Sequence, residues 1–516
     1  MEIASGDFLP QLSKPPAAVL RPHTLHSLEF ALRIRDHSCL KGAISLYLAG
    51  LDVGSSGCKI TVCDDRGHFV ESHYQPYDSH HTETEHTIDA HDITAAVETV
   101  ITATKCKPDA LGVSSFGESF VLLDENDNIL NCPMLYNDPR GSEECKMYDR
   151  EKVKNSACLA PAALYTLPKL RWYCRNRPDV IEKTRKIFMI GDYIVWLLCG
   201  SRVINYSSAT RTIGFDVRNL CWNRELFDET GIDVNLLSCP VPDGTVAGVS
   251  YKFGLNGAKI ISAMHDQNAA ALGAGALRDG DAVDGSGSVE CITPVISRLP
   301  DDMSACDSGI AFLPYELGMY VGCAFSYTGG TALKWFRDNL GGGESYSELD
   351  AAVGDEPGNI LIMPHFAGAA TPYMDPDSRA MFWGVTLGTT KYELYRAVME
   401  GVAYEMRVNL ELLAGCGIKP SRLLATGGGA KSRVWSQIKA DVTGLPLTIV
   451  DVPEVGAAGV ILLTAKQLGL YSSLAEAASV FTREGETLIP DPKRHSRYNE
   501  LFDKYRKLYS LSRELR

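Results

Sequence analysis

An α/β fold built twice is what this sequence predicts, and three observations carry the expectation. Short apolar runs alternate with segments of helical periodicity, the pattern of strands layered against helices. Two strand–turn–strand openings, one near Ile44 and one near Asp281, each begin such an alternation, so one plan is used twice with negligible identity between the halves. Length agrees, because 516 residues exceed what a single hydrophobic core supports, roughly 300. The expected division is an N-terminal extension over 1–43, a first domain over 44–276, a second over 277–480 and a tail over 481–516.

The elements follow in order. In the extension, Pro10, Pro15, Pro16 and Pro22 oppose regular structure, and Thr24–Arg35 places Leu25, Leu28, Leu32 and Arg35 at helical spacing, giving one short amphipathic helix or a disordered appendage. Glu2, Asp7, Glu29 and Asp36 argue against a transit peptide, which is poor in acids. From Ile44, ISLYLAGLDV is a strand, GSSG a tight turn and KITVCDD a second strand. A helix over His91–Thr104 and strands over Ala110–Ser114 and Ser119–Asp124 come next. The second half opens with DAVDGSGSVECITPVIS, again strand, turn and strand, followed by helices over Lys391–Ala414 and Ser432–Thr443. The tail reads as a solvated helix with an apolar stripe of Tyr498, Leu501, Phe502 and Tyr505.

Composition removes several classes of function. With 50 basic against 64 acidic side chains the net charge is -14, which opposes nucleic-acid binding, since that affinity comes from Lys and Arg neutralising phosphates. The 15 cysteines are an odd number with no C-x-x-C pair, which fits reduced thiols and a cytoplasmic location. The longest clean apolar stretch, Val455–Ala465, is far short of the roughly 18 to 20 residues that cross a bilayer. A small phosphate ligand stays open, because backbone N–H groups in a glycine-rich turn bind phosphate without formal charge.

Four glycine-rich turns or strand ends carry chemistry. LAGLDVGSSGCK delivers Asp52 into a turn of Gly54, Ser55, Ser56 and Gly57, suited to phosphate with a carboxylate beside it for Mg2+, or equally a plain hairpin. In SAMHDQNAAALGAG the apolar strand KIISAM runs into His265-Asp266-Gln267 and then an Ala-rich helix, so Asp266 sits at a strand-to-helix junction, the position of a catalytic base or of a simple N-cap. DGSGSVE repeats the hairpin, and ATGGGAKS runs a strand into three glycines, costly unless something flat approaches that backbone. The P-loop and dinucleotide fingerprints are missing. His80, His81 and His86 with Glu83 and Glu85 lack helical ligand spacing and read as a polar loop, and the six tryptophans read as packing.

This order of elements resembles the FGGY family of carbohydrate kinases over about residues 46–475. The most specific stretch is AMFWGVTLGTTKYELYRAVMEG, Ala380–Gly401, similar to the family's second signature with Gly384, Glu393, Ala397 and Glu400 in place; TGGTALKWFRDN matches the other in its xylulokinase-like form. The resemblance implies two ribonuclease-H-like domains, of the actin and sugar-kinase kind, with the active-site cleft between them. It implies ATP and Mg2+, with Asp52 and Asp266 at the metal and Gly54, Ser55, Ser56 and Lys59 at the phosphates. Gly287 and Ser288 are similar to the second phosphate turn, and Gly428, Gly429, Ala430 and Ser432 to the adenosine turn. Asp266 is then the general base, with Gln267, Gly117, Glu118, Asn137, Asp138 and Arg140 on the sugar. The block Gly117-Glu118-Ser119-Phe120 departs from relatives, lacking the histidine of typical xylulokinases and the arginine of glycerol kinases. A carboxylate there repels a sugar acid, so a neutral ketose or polyol is expected, D-xylulose first by family frequency. L-fuculose or L-rhamnulose, gluconate, and glycerol or erythritol are the alternatives, and a non-catalytic ATP-binding sensor is the alternative of another class. Family habit adds a homodimer.

Overall fold

The computed structural model describes residues 45–516, so the helix expected over Thr24–Arg35 lies outside the described residues. Two sheets organise them. The first holds β1 (Tyr47–Val53), β2 (Gly57–Asp64), β3 (Phe69–Pro76), β4 (Ala110–Ser115), β5 (Thr245–Ser250) and β6 (Ala258–His265), in the order β5-β6-β4-β1-β2-β3. β1 runs antiparallel to β2 and parallel to β4, which sets Asp52 opposite Lys59 on one side and beside Ser114 on the other. Covered on both faces, β1 is buried at all but Tyr47 and Asp52, whereas edge strand β3 alternates half-buried and exposed residues.

The second sheet holds β7 (Asp281–Ser286), β8 (Glu290–Ile296), β9 (Ala311–Pro314), β10 (Tyr320–Ser326), β11 (Arg422–Thr426), β12 (Leu447–Val450) and β13 (Glu484–Leu488). Its order is β9-β10-β8-β7-β11-β12-β13. Like β1, β7 has an antiparallel hairpin partner, β8, and a parallel neighbour, β11. The plan repeats at the level of strand pairing although the residues do not.

Nine helices matter to the site: α1 (Ala90–Ala103), α2 (Thr166–Asn176), α3 (Ile190–Cys199), α4 (Asp266–Gly273), α5 (Gly330–Leu340), α6 (Lys391–Gly415), α7 (Arg433–Thr443), α8 (Val455–Gln467) and α9 (Pro492–Tyr505). α1 starts where the Asp89 carboxylate accepts from His91 N, and its Ile93, Val97 and Val100 join Leu51, Ile60 and Val113 in the first core. α6 begins with a capping box between Thr390 and Glu393, which accounts for the signature glutamate as a helix start. The tail helix is less solvated than its charge suggests. Tyr498, Leu501, Phe502 and Tyr505 of α9 are at most 2% exposed and pack with α6, with Tyr404 against three of these rings. The tryptophans divide as well, since Trp435 is buried but Trp383 is 54% exposed and does no packing of the expected kind.

α4 follows β6 of the first sheet and α8 follows β12 of the second, and the two helices cross at glycines. A Cβ on Gly273 would lie 1.8 Å from Val455 O, and one on Gly459 2.0 Å from Ala269 O, so backbone rests on backbone there. Among the described residues no helix is long and apolar enough to cross a membrane.

Candidate active site

The first hairpin turns tightly at Gly54–Gly57, closed by Gly54 N donating to Gly57 O at 3.0 Å. Gly57 has no room for a side chain, because a Cβ would fall 2.4 Å from the Tyr74 hydroxyl. The turn leaves Ser56 exposed and Gly54 and Ser55 half-buried. Lys59 points instead to Glu454, at the start of α8, with Nζ 3.0 Å from Oε2. Asp52 accepts from Ser114 Oγ at 3.1 Å. Burial and the neighbouring charge of Asp266 push its carboxyl up to about 6.

Asp266 begins α4, yet it does not cap it. That task falls to His265, whose Nδ1 accepts from Gln267 N at 3.3 Å. Burial, with the positive charge of Arg211, holds His265 unprotonated down to about 3. With Nδ1 used as an acceptor, His265 has no proton there to give Asp266 Oδ1, 3.2 Å away. Oδ1 is therefore buried without a hydrogen bond, while the side chain as a whole keeps 34% of its surface exposed. Burial and the charge of Glu118 push this carboxyl up to about 7.

At the sugar end the structure changes the expected picture. Glu118 is not a free carboxylate: Arg211 Nε donates to its Oε1 at 2.6 Å, Nη2 pairs with the same oxygen, and the guanidinium lies over the Tyr165 ring at 5.0 Å. The charge of Glu118 is compensated, so the argument from repulsion against a sugar acid loses its footing. Asp138 and Arg140 are bound to each other, and they and Asn137 are bound to the loop before α1. Asp138 accepts from His86 N (2.8 Å), Arg140 N (3.0 Å), Arg140 Nε (2.9 Å) and Arg140 Nη2 (2.7 Å), and Asn137 Oδ1 meets His86 Nδ1 at 2.6 Å. Between Asp138 and Glu118 lies Lys169 of α2, wholly buried, its Nζ donating to Leu135 O at 2.7 Å. Burial depresses it to about 8 against the pull of both carboxylates.

The second hairpin and the triple-glycine turn come together. Gly330 N donates to Gly287 O (2.8 Å) and Gly329 N to Ser288 O (3.0 Å), seating the hairpin on the start of α5. Gly427 and Gly429 press on Ser286, where added Cβ atoms would fall 2.6 Å from its carbonyl oxygen and 2.0 Å from its Oγ. Gly428 faces open space, Ala430 is buried, and Ser432 caps α7 by accepting from Trp435 N at 3.1 Å. Beneath this turn Lys439 of α7 donates to both Asp284 oxygens (3.1 and 2.9 Å), to Ser286 Oγ (2.8 Å) and to Glu290. Burial and the charge of Asp284 hold the Glu290 carboxyl well above the usual range. Cys291 of β8 and Cys323 of β10 lie within the electrostatic reach of Asp266, which brings this sheet to the head of α4.

Asp52, the first hairpin, Asp266 and Gln267 thus form one group, joined by Gly117 and Glu118, and the two later turns form another. Lys169 lies in the electrostatic reach of Asp138, Arg140 and Glu118 and so ties this loop to the first group. Sequence reading missed Arg211, Lys169, Tyr165 and Lys439. Two carboxyls close enough for the charge of Asp266 to act on Asp52 fit a divalent ion, which takes one or two carboxylates plus phosphate oxygens. Among the described residues no group of three or more metal-ligating side chains exists.

Comparison with known proteins agrees with this architecture. The family model "FGGY family of carbohydrate kinases, N-terminal domain" matches residues 47–273, and its C-terminal counterpart matches 313–468. A xylulose kinase of Lactococcus lactis is 26% identical, covering 91% of this chain and 97% of that one. The solved xylulose kinase of Lactobacillus acidophilus superposes with a TM-score of 0.84 at 22% identity, covering 90% of this chain and 98% of that one. Gluconate kinase from the same organism also reaches 0.84 at 22% identity, covering 91% and 99%, so the fold is shared across different sugars. With two family models spanning most of its length around such a site, the chain belongs to the FGGY family of carbohydrate kinases.

Proposed function

We propose that the protein transfers the γ-phosphoryl group of ATP to a hydroxyl of a small ketose, with D-xylulose the leading substrate. The observation that carries the reading is Asp266, whose Oδ1 is buried without a partner at the head of α4, beside Asp52 and the first hairpin. In its ionised form Asp266 takes the proton of the attacking hydroxyl, while the backbone of Gly54–Gly57 and of Gly287–Ser288 holds phosphate oxygens. Asp52 and Asp266 would hold Mg2+, which supplies neutralisation of charge on the phosphates when bound. The open face at Gly428 accommodates the flat adenine, and the division at 276/277 is supported by the change from one sheet to the other.

A sugar acid is the second reading, favoured by one observation: Arg211 offsets part of the charge of Glu118 and lowers the barrier to a carboxylate. Coupled ADP release with Mg-ATP and a panel of ketoses, gluconate, glycerol and erythritol decides between them. A ketose should give the highest kcat/KM, and gluconate winning would replace it. Asp266→Asn should lower kcat by about 10² to 10⁴ with ATP binding retained. An undiminished rate in that variant removes Asp266 from the role of base.

A further inference from the structure

Glu118 and Arg211 form an ion pair that the fold has gone to some trouble to hold. Glu118 adopts φ 69°, a left-handed backbone that a non-glycine residue enters at a cost of roughly 1–3 kcal/mol. Its carbonyl is fixed by Thr166 Oγ1 at 2.9 Å, and the preceding turn by Ser119 N donating to Gly117 O at 2.8 Å. Arg211 follows the short helix Tyr206–Thr210, with its guanidinium laid on Tyr165. Gly117 lets the two segments close, since a Cβ there would lie 2.7 Å from Arg211 Cγ and 3.1 Å from His265 Nε2. His265 immediately precedes Asp266, so the pair stands beside the proposed base.

The pair is only half satisfied by protein. The side chains are 14% and 8% exposed, and both contacts from Arg211 end on the same oxygen, Oε1. Among the described residues, no hydrogen bond reaches Glu118 Oε2 or leaves Arg211 Nη1, and neither atom is sealed without a partner. A nearly buried ion pair with an idle acceptor and an idle donor is expensive unless something completes it. The other buried cation nearby, Lys169, is already spent on Leu135 O.

We propose that Arg211 is a specificity-determining residue that reads the sugar jointly with Glu118. One hydroxyl donates to Glu118 Oε2 and its neighbour accepts from Arg211 Nη1, so the ligand class is a sugar with two adjacent hydroxyls close to the one that the proposed base serves. This rests on the kinase reading above and names a residue for it.

The test measures kcat and KM for the best ketose, and for its mono-deoxy analogues, in the wild type and in Arg211→Met, Arg211→Lys and Glu118→Gln. Arg211→Met should raise the sugar KM about 10- to 100-fold, the range for a lost charged hydrogen bond, with the KM for ATP little changed. One deoxy analogue should be penalised in the wild type and no longer in Arg211→Met. Should Arg211→Met fail to fold, Arg211→Lys serves, because Lys lacks the planar fork and should still raise the sugar KM. Wild-type sugar KM in either variant overturns the inference, as does a parallel loss in kcat, ATP KM and sugar KM, the mark of a structural role. If the wild type releases no ADP with any sugar, the kinase reading fails and this inference fails with it; an active wild type with indifferent Arg211 variants sinks this inference alone.

Discussion

Asp52 and Asp266 are paired carboxyls whose ionisation is held back by their surroundings, and this gives a direct expectation for pH. Burial leads in both, followed by the charge of Asp266 at Asp52 and of Glu118 at Asp266. A general base works only when ionised, and a pKa raised to about 7 means that it gains its proton as pH falls through that value. The log of kcat/KM should therefore decline with decreasing pH below about 7, bending more steeply below about 6 as Asp52 protonates. A profile flat from pH 8 to 5.5 at saturating Mg2+ would show that neither carboxyl limits the free enzyme. Asp266 was legible as a candidate because a strand-to-helix junction is a local pattern. Its competitor for the cap was not, since a histidine acting as an N-cap acceptor is outside the usual Ser, Thr, Asp and Asn set.

At the scale of elements, hairpins and helices were readable because their signals are local. Apolar runs broken by GSSG and GSGS, and the periodicity before Gly415, mark β2, β7–β8 and α6 within a residue or two, whereas β1 begins at Tyr47, three residues after the expected Ile44. What could not be read were contacts between distant elements: Arg211 meets Glu118 across 93 residues and Lys439 meets Asp284 across 155. Nothing in either local sequence differs from an ordinary charged helix or loop position. Lys439 fastens α7 to both strands of the second hairpin, so its removal leaves buried Asp284 without a counter-charge. Lys439→Met should cost about 3–5 kcal/mol, read as a lower urea midpoint, and should raise the KM for ATP while leaving that for the sugar near wild type. An unchanged midpoint would mean that Asp284 and Glu290 share protons without the lysine.

For the whole molecule, the closest crossing between the helices that follow the two sheets is made at two residues without side chains. Gly459→Ala should destabilise the protein by about 1–3 kcal/mol, because its Cβ would meet the Ala269 carbonyl at 2.0 Å. It should also lower kcat, since α8 carries Glu454 to Lys59 and α4 carries Asp266. Thermal melting and steady-state kinetics on one preparation check both, and a variant that melts normally at full rate would show that the crossing tolerates separation. A contact of bare backbone has no interlocking side chains, so a pivot of one helix on the other would meet no rotamer barrier at the crossing. Asp266 lies seven residues from Gly273, a lever arm of about 10 Å at about 1.5 Å per residue, and a pivot of about 10° at the crossing would sweep it by roughly 2 Å. Such a short arm would turn a modest rotation of one helix against the other into the difference between a carboxylate in reach of a substrate hydroxyl and one that is not.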